Sequence, residues 1–391
     1  MLGFLSAGHF VNDLSQGAIP ALLPFWIVQH DLSYSAAAWI VFAFTGTSTI
    51  IQPLFGHLAD RISKSWIIAA SLILTGGGFA LTGIAISYRL LIVAVIISGF
   101  GSAAFHPEAA RFVNFAGGDK KATAMSIFGV GGTMGFALGP LLITAAVHVL
   151  ELKGTLLMLI PSGIIAVIFL CQASRLTTLE YTGRDTKQQH KSSAGRDNWS
   201  AFVRLTLTII GKSIIFYGLI TFIPLYWVNV LNQSELAGGT ALTVFSVSGV
   251  CGTLLGGRLV DRFGHVKIIV IACALLVPCL PALAWTNSVY LATCLLIPIG
   301  SLLLMTYGPT IVMGQKFLPN HIGLSSGMTL GVAFSVGGLV TPLLGYAADH
   351  YGISVVLISI AFIPVIITGI SCTLIPAKSL PMNMISGNTK V

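Results

Sequence analysis

The chain has 391 residues, of which 55% are hydrophobic and only 8% charged, with 20 Lys and Arg against 12 Asp and Glu for a formal net charge of +8. Water-soluble domains carry charge on about a quarter of their residues, so this composition excludes an ordinary one. A hydrocarbon core needs about 20 apolar residues per helix, so twelve spans would take roughly 240 residues and leave about 150 for connections, which this length accommodates.

Apolar runs bounded by charges or turn residues predict spans at 4–28, 36–57, 66–87, 90–112, 123–148 and 155–174. After a polar stretch they resume at 205–230, 238–259, 267–286, 289–313, 323–348 and 353–376. The first run has no basic segment ahead of it and contains His9, Asn12 and Asp13, which predicts a membrane helix rather than a signal peptide. Residues 175–204 have connector composition, with Gly183, Ser192, Ser193 and Gly195 among five Lys or Arg before Arg204. The expected organisation is a six-helix bundle at 1–174, a cytoplasmic linker at 175–204, and a second six-helix bundle at 205–391 with a short cytoplasmic tail.

The basic residues lie between the apolar runs and sort by side. Arg89 and Lys153 fall in the third and fifth loops, and the loops after spans 7, 9 and 11 carry none. Arg61, Lys64, Arg111, Lys120, Lys121, Arg258, Arg262, Lys267, Lys316, Lys378, Lys390 and the linker cations fall on the other side, which the positive-inside rule makes cytoplasmic, with both termini. The charge balance is thereby accounted for without a nucleic-acid partner. Cys171, Cys251, Cys273, Cys279, Cys294 and Cys372 fall in or beside apolar runs without metal-ligand spacing and read as small hydrophobes.

The two halves repeat. Gly56-His-Leu-Ala-Asp60-Arg61 after span 2 matches Gly257-Arg-Leu-Val-Asp261-Arg262 after span 8, at an offset of 261 − 60 = 201. In span 5, Gly129, Thr133, Gly135 and Pro140 match Gly331, Ser335, Gly337 and Pro342 of span 11, at an offset of 342 − 140 = 202. Two halves of like orientation imply a pseudo-two-fold axis along the membrane normal, with a path between them.

These loop motifs and the glycine-rich span 5 ending in Gly139-Pro140 resemble signatures of the major facilitator superfamily over nearly the whole chain. Within it, Gly8-His9-Phe-Val-Asn12-Asp13, the segment from Gly101 through His106-Pro107-Glu108 to Arg111, and Ser126-Ile-Phe128-Gly129-Val-Gly131-Gly132 resemble the fosmidomycin resistance protein family of bacterial efflux transporters. The resemblance implies an all-α, twelve-span integral membrane fold in the bacterial cytoplasmic membrane. It also implies proton-coupled export of a small molecule, fosmidomycin being an anionic phosphonate.

Ionisable groups inside a bilayer are costly and are functional candidates by default. His9 and Asp13, four apart on span 1, share a helix face and can titrate together; the alternative is that His9 is solvated at the cytoplasmic rim. On span 4, Pro107 between His106 and Glu108 predicts a bent or broken helix beside two titratable groups. Glu108 and Arg111, three apart, alternatively form a structural ion pair. The expected proton-coupling set is Asp13, Glu108, His9 and His106, with the two carboxylates favoured equally.

Lys212 lies two turns into span 7. Spans 1, 4, 7 and 10 line the cavity in the superfamily, so the resemblance places Lys212 toward substrate, where with His9 and His106 it would suit an anion; Arg111, Asn12, Phe216, Tyr217 and Tyr307 are further substrate-binding candidates. The alternatives are that Lys212 snorkels or pairs with Asp13 and that the aromatics, with Tyr226 and Trp227, are packing or interfacial anchors. Gly56, Asp60 and Arg61, with Gly257, Asp261 and Arg262, are expected to form a conformational latch. Gly129, Gly131, Gly132, Gly135, Gly139 and Pro140 resemble the antiporter motif of exporters and are expected to let the halves rock.

The function expected is a secondary exporter working by alternating access, a monomer in the bilayer with a small-molecule substrate. The proton gradient supplies the energy, with no cofactor. A proton-coupled importer or facilitator of an organic anion is the alternative. No phosphate-binding Gly-x-x-x-x-Gly-Lys-Ser/Thr loop and no His-x-x-x-His pair occur, so neither an ATP-driven pump nor a metal-dependent membrane enzyme is expected.

Overall fold

The computed structural model describes residues 1–52, 54–55, 66–118, 121–173, 175, 196–321, 324–325, 328–329 and 333–374. The described elements are α1 (Leu2–Ala21), α2 (Leu23–His30), α3 (Tyr34–Ile50), α4 (Trp66–Leu81), α5 (Tyr88–Ala116), α6 (Lys121–Leu150), a 3₁₀ segment (Glu151–Met158) and α7 (Leu159–Cys171). They continue with α8 (Trp199–Asn229), α9 (Glu235–Phe263), α10 (His265–Trp285), α11 (Val289–Met305), α12 (Tyr307–Phe317), α13 (Ala333–Tyr351) and α14 (Ile353–Cys372). No strand occurs among the described residues.

Each predicted span falls wholly or partly on these helices, and among the described residues seven helical stretches are individually long and apolar enough to cross a membrane. In hydrocarbon every backbone amide must be satisfied within its own segment, which leaves helices as the available form for such runs. The starts are set by local chemistry: the side chains of Ser33, Ser87, Asn198, Ser234 and Ser288 each accept the amide three residues on. Helices α1 and α2 are one predicted span, broken at Leu22 between Pro20 and Pro24. The exposed large side chains form apolar stripes, such as Ile160, Ile164 and Val167 on α7 and Phe362, Val365 and Ile366 on α14, the pattern of a lipid-facing wall.

Two expectations change. Helix α5 runs unbroken through Pro107, so span 4 is not interrupted there. Helix α8 begins at Trp199, six residues before the expected start of the second bundle at 205, capped by Asn198 and tied back where Asn198 N donates to Phe317 O at 2.7 Å. Most of the connector, 176–195, lies outside the described residues, as do Gly56, Asp60, Arg61 and Gly331 of the repeat motifs.

The repeat governs packing. Helix α1 lies on α6 as α8 lies on α13, and α3 lies on α5 as α9 lies on α11. The main crossings between the sets are α3 with α13 and α6 with α9, with smaller contacts of α1 on α8 and α9 and of α2 on α8. The crossing contacts gather at the face opposite the one carrying Met1 and Leu374. There Gly239 faces Thr144, Gly345 faces Tyr34 and Ser35, and Asp349 bonds the start of α3. Toward the terminal face, Val130 and Thr133 on the corresponding side of α6 are exposed. The two sets therefore meet at one end and part at the other.

Gly131, Gly135 and Gly139 of span 5 hold α6 to α1 within the first set and do not lie between the halves. A Cβ at Gly131, Gly135 or Gly139 would run into the carbonyl of Ser6, Phe10 or Leu14 respectively, a constant register of 125 along two parallel helices (131 − 6, 135 − 10, 139 − 14). Gly17 returns the contact against Phe136 O, and Gly337 of α13 meets Ser213 O of α8 in the equivalent place. Gly129 faces open space. The glycines at the crossing contacts are Gly239, Gly338 and Gly345, none of them in the expected motif.

Candidate functional site

The packing of α5 against α1 brings three titratable side chains together. His9 and Asp13 are one turn apart on α1, with His9 Nε2 at 3.2 Å from Asp13 Oδ2. His106 reaches across from α5 to place its Nε2 at 3.2 Å from Asp13 Oδ1. All three are only 12 to 23% exposed at the side chain, recessed yet reachable by water.

The outer nitrogen of each imidazole is also engaged. His9 Nδ1 lies 2.8 Å from Phe128 O and His106 Nδ1 lies 2.8 Å from Ser102 O. A carbonyl only accepts, so the network assigns a proton to each Nδ1 and turns each Nε2 to the carboxylate. The His9 ring is clamped by stacking on Phe128, centroids 4.0 Å apart, and meets His106 edge to face at 5.2 Å.

Each Nε2 contact with Asp13 then needs a proton of its own, carried on the imidazole or on the carboxyl. Two such protons satisfy the cluster. With one removed, an imidazole lone pair faces a carboxylate oxygen and that contact becomes repulsive. Proton number is thus coupled to side-chain geometry.

Asn12, expected to bind substrate, is 1% exposed and holds this cluster in place. Its Nδ2 donates to Asp13 Oδ1 at 3.0 Å and to Ser102 Oγ at 3.1 Å, while Thr75 Oγ1 donates to its Oδ1 at 3.0 Å. It ties α1, α4 and α5 together and aims the carboxylate. Gly132, expected only as packing surface, leaves the volume beside the cluster: a Cβ there would collide with His9 Nε2 and come within 2.7 Å of Asp13 Oδ2. The functional parts that sequence reasoning missed are the Phe128 and Ser102 carbonyls and Thr75. The one sequence signal for them is a polar residue on an otherwise apolar span, which Ser102 and Thr75 supply and a carbonyl cannot.

Glu108 is placed apart from this cluster. Fully buried, it sits 3.5 Å from Arg111 Nη2, and the guanidinium lies over Phe112 and Phe115 at 5.4 and 5.6 Å. It lines a lateral groove of about 470 Å³ with Trp66, Leu74 and Phe100, and none of His9, Asp13 or His106 reaches that groove. The structure therefore separates the two carboxylates that sequence reasoning weighed equally.

Lys212 is 8% exposed and forms no ion pair with Asp13 or any other carboxylate among the described residues; Cys273 of α10 is within its electrostatic reach. Phe216, one turn on, stacks on Phe136 of α6 at 5.9 Å, so this side of α8 looks toward the first helix set. Tyr307, at the start of α12, is in electrostatic reach of Asp13 and of Tyr217. Tyr226 and Trp227 are buried, and Tyr226 donates to Thr286 O at 2.7 Å, a packing role. Asp261 and Arg262 are exposed, with Arg262 over the Phe263 ring at 5.2 Å; neither forms an ion pair among the described residues. Gly257 is open, and the close contact there is made by Gly256 against Met305 O.

An all-helical membrane bundle of two repeated sets, meeting at one face and recessing ionisable groups between its helices, defines a multi-pass transporter. Residues 5–342 match the Major Facilitator Superfamily, and the chain belongs to that family. It is similar to the fosmidomycin resistance protein of Escherichia coli, at 29% identity over 94% of this chain and 90% of the relative. It is also similar to the transporter YfnC of Bacillus subtilis, at 30% identity over 94% and 91%. Among solved structures it resembles an inward-facing, occupied bacterial homologue of the lysosomal transporter Spinster, with a TM-score of 0.79 at 15% identity over 95% of this chain and 96% of that one. A nucleoside transporter, NupG, gives 0.77 at 12% identity over 96% and 99%. At such identities these structures bear on the fold alone.

Proposed function

We propose that the protein is a proton-coupled exporter of a small anionic molecule, of the class to which fosmidomycin belongs, sited in a bacterial cytoplasmic membrane with both termini in the cytoplasm. The observation that carries this reading is Asp13 held between His9 and His106, each imidazole tied by its other nitrogen to a backbone carbonyl. That cluster gains or loses a proton only by remaking its contacts. Glu108, held with Arg111 beside a lateral groove, serves structure in this account.

Substrate sits between the helix sets, with Lys212 as the buried cation and Phe216, Tyr217 and Tyr307 as walls. A substrate anion offsets the desolvation of Lys212, which has no carboxylate partner among the described residues. The contacts gathered at the face opposite the termini support a state open to the cytoplasm, from which the bundles 1–174 and 205–391 rock to expose the cluster to the outside. Kinship with a fosmidomycin resistance protein supports the substrate class and the export direction. No cofactor enters the cycle, and the monomer suffices for it.

The test is uptake of labelled fosmidomycin into inverted vesicles with an imposed proton gradient. Gradient-dependent uptake by the parent chain, lost in Asp13→Asn, supports the reading; gradient-independent uptake overturns it.

A further inference from the structure

The ligand set at the cluster fits more than protons. One ligand atom from each of His9, Asp13 and His106 lies within 4.8 Å of the others, the one such group of three among the described residues. From these atoms we infer that His9, Asp13 and His106 form a binding site for a borderline transition-metal dication such as Zn²⁺, which competes with the coupling protons.

Two imidazoles and one carboxylate are the donors that Zn²⁺ takes when three protein ligands leave a fourth position open. With bonds of about 2.0–2.1 Å, tetrahedral ligand atoms stand about 3.3 Å apart. The two imidazole-to-carboxylate contacts measure 3.2 Å but end on different oxygens of Asp13, His9 on Oδ2 and His106 on Oδ1, so a metal would bridge both oxygens or turn the carboxylate to offer one, and the imidazoles would close on it.

The supporting contacts are those a metal-bound histidine needs. Each Nδ1 rests on a backbone carbonyl, which fixes the tautomer and presents the Nε2 lone pair to the common point once its proton leaves. Asn12 orients the carboxylate, and Gly132 keeps side-chain atoms out of the volume beside His9 and Asp13. No spacing in the sequence marks the set, because its members lie on two spans: His9 and Asp13 give two of the three ligands, and His106 joins only through the packing of α1 against α5. Mg²⁺, which prefers octahedral oxygen ligands, is not matched by this donor set.

Binding stands on this geometry alone. Its consequence, that a bound dication excludes the protons and stops turnover, rests on the transport reading above.

The experiment uses the full chain purified without a polyhistidine tag, titrated with Zn²⁺ by calorimetry and with Co²⁺ by visible absorption. The expected result is one Zn²⁺ per chain, intense four-coordinate Co²⁺ bands and no competition by Mg²⁺. His9→Gln, His106→Gln and Asp13→Asn are each expected to weaken binding roughly tenfold or more. His106, the most exposed of the three, is the variant that decides should His9→Gln fail to fold. Absence of Zn²⁺ binding by the folded parent, or unchanged affinity in folded His106→Gln, overturns the proposal. Gradient-driven uptake measured separately in chelator keeps the two readings apart: binding without such uptake overturns the transport account alone, and uptake without binding overturns the metal site alone.

Discussion

The carboxylate of Asp349, at the end of α13, accepts the backbone amide of Tyr34 at 2.6 Å and that of Ser35 at 3.0 Å. These are the first amides of α3, which no residue of their own helix can satisfy, and a carboxylate from the other helix set does so. A single residue thereby caps one helix and joins the two sets at the face where they meet. Asp349→Ala is expected to weaken that closure by about 0.5–2 kcal/mol, the usual worth of a cap. Spin labels at Gln29 and Tyr351 would read a broadened, longer distance distribution; an unchanged distribution would remove the contact from the closure.

The glycine register between α1 and α6 predicts a contrast within one helix. Gly135→Val forces a branched side chain into Phe10 O and is expected to cost at least about 1–3 kcal/mol, read as a lowered melting temperature in detergent. Gly129→Ala, in open space, is expected to change little. Equal effects would mean that the two helices are not held this way.

Asn12 is expected to matter first for stability. Asn12→Ala strips three hydrogen bonds and leaves the buried Ser102 hydroxyl without its Asn12 donor, while Thr75 keeps Ser71 O as an acceptor, for a loss of about 1–3 kcal/mol. The same melting assay checks it, and transport should fall alongside because Asp13 loses its aim.

Lys212 should behave in the opposite sense. Lys212→Met removes a buried cation that has no carboxylate partner among the described residues, so the melting temperature is expected to hold or rise while fosmidomycin affinity falls about tenfold or more. Unchanged affinity in the folded variant would take Lys212 out of the substrate site.

What was legible in the sequence follows from what a helix period can carry. The spans, the repeat at offsets of 201 and 202, and the sharing of one face by His9 and Asp13 are all properties of single segments or of their copies. The meeting of His106 with Asp13 depends on how α5 sits against α1, which glycines and polar contacts set in three dimensions and no spacing records. For the same reason Gly131, Gly135 and Gly139 announced a close contact without naming its partner, and the partner is α1 and not the other half. Asn12 read as a substrate ligand because polarity in a span marks importance without saying whether the side chain faces solvent or its neighbours. Glu108 and Asp13 looked equivalent until the fold placed one beside an arginine and the other between two histidines.

In the proposed cycle Asp13, and not Glu108, carries the coupled proton. The most direct measurement is fosmidomycin uptake into inverted vesicles under an imposed proton gradient, for the parent, Asp13→Asn and Glu108→Gln at matched expression. Gradient-driven accumulation is expected in the parent and in folded Glu108→Gln, and none in Asp13→Asn. Accumulation against a gradient in Asp13→Asn, with coupling lost in Glu108→Gln, would contradict this assignment.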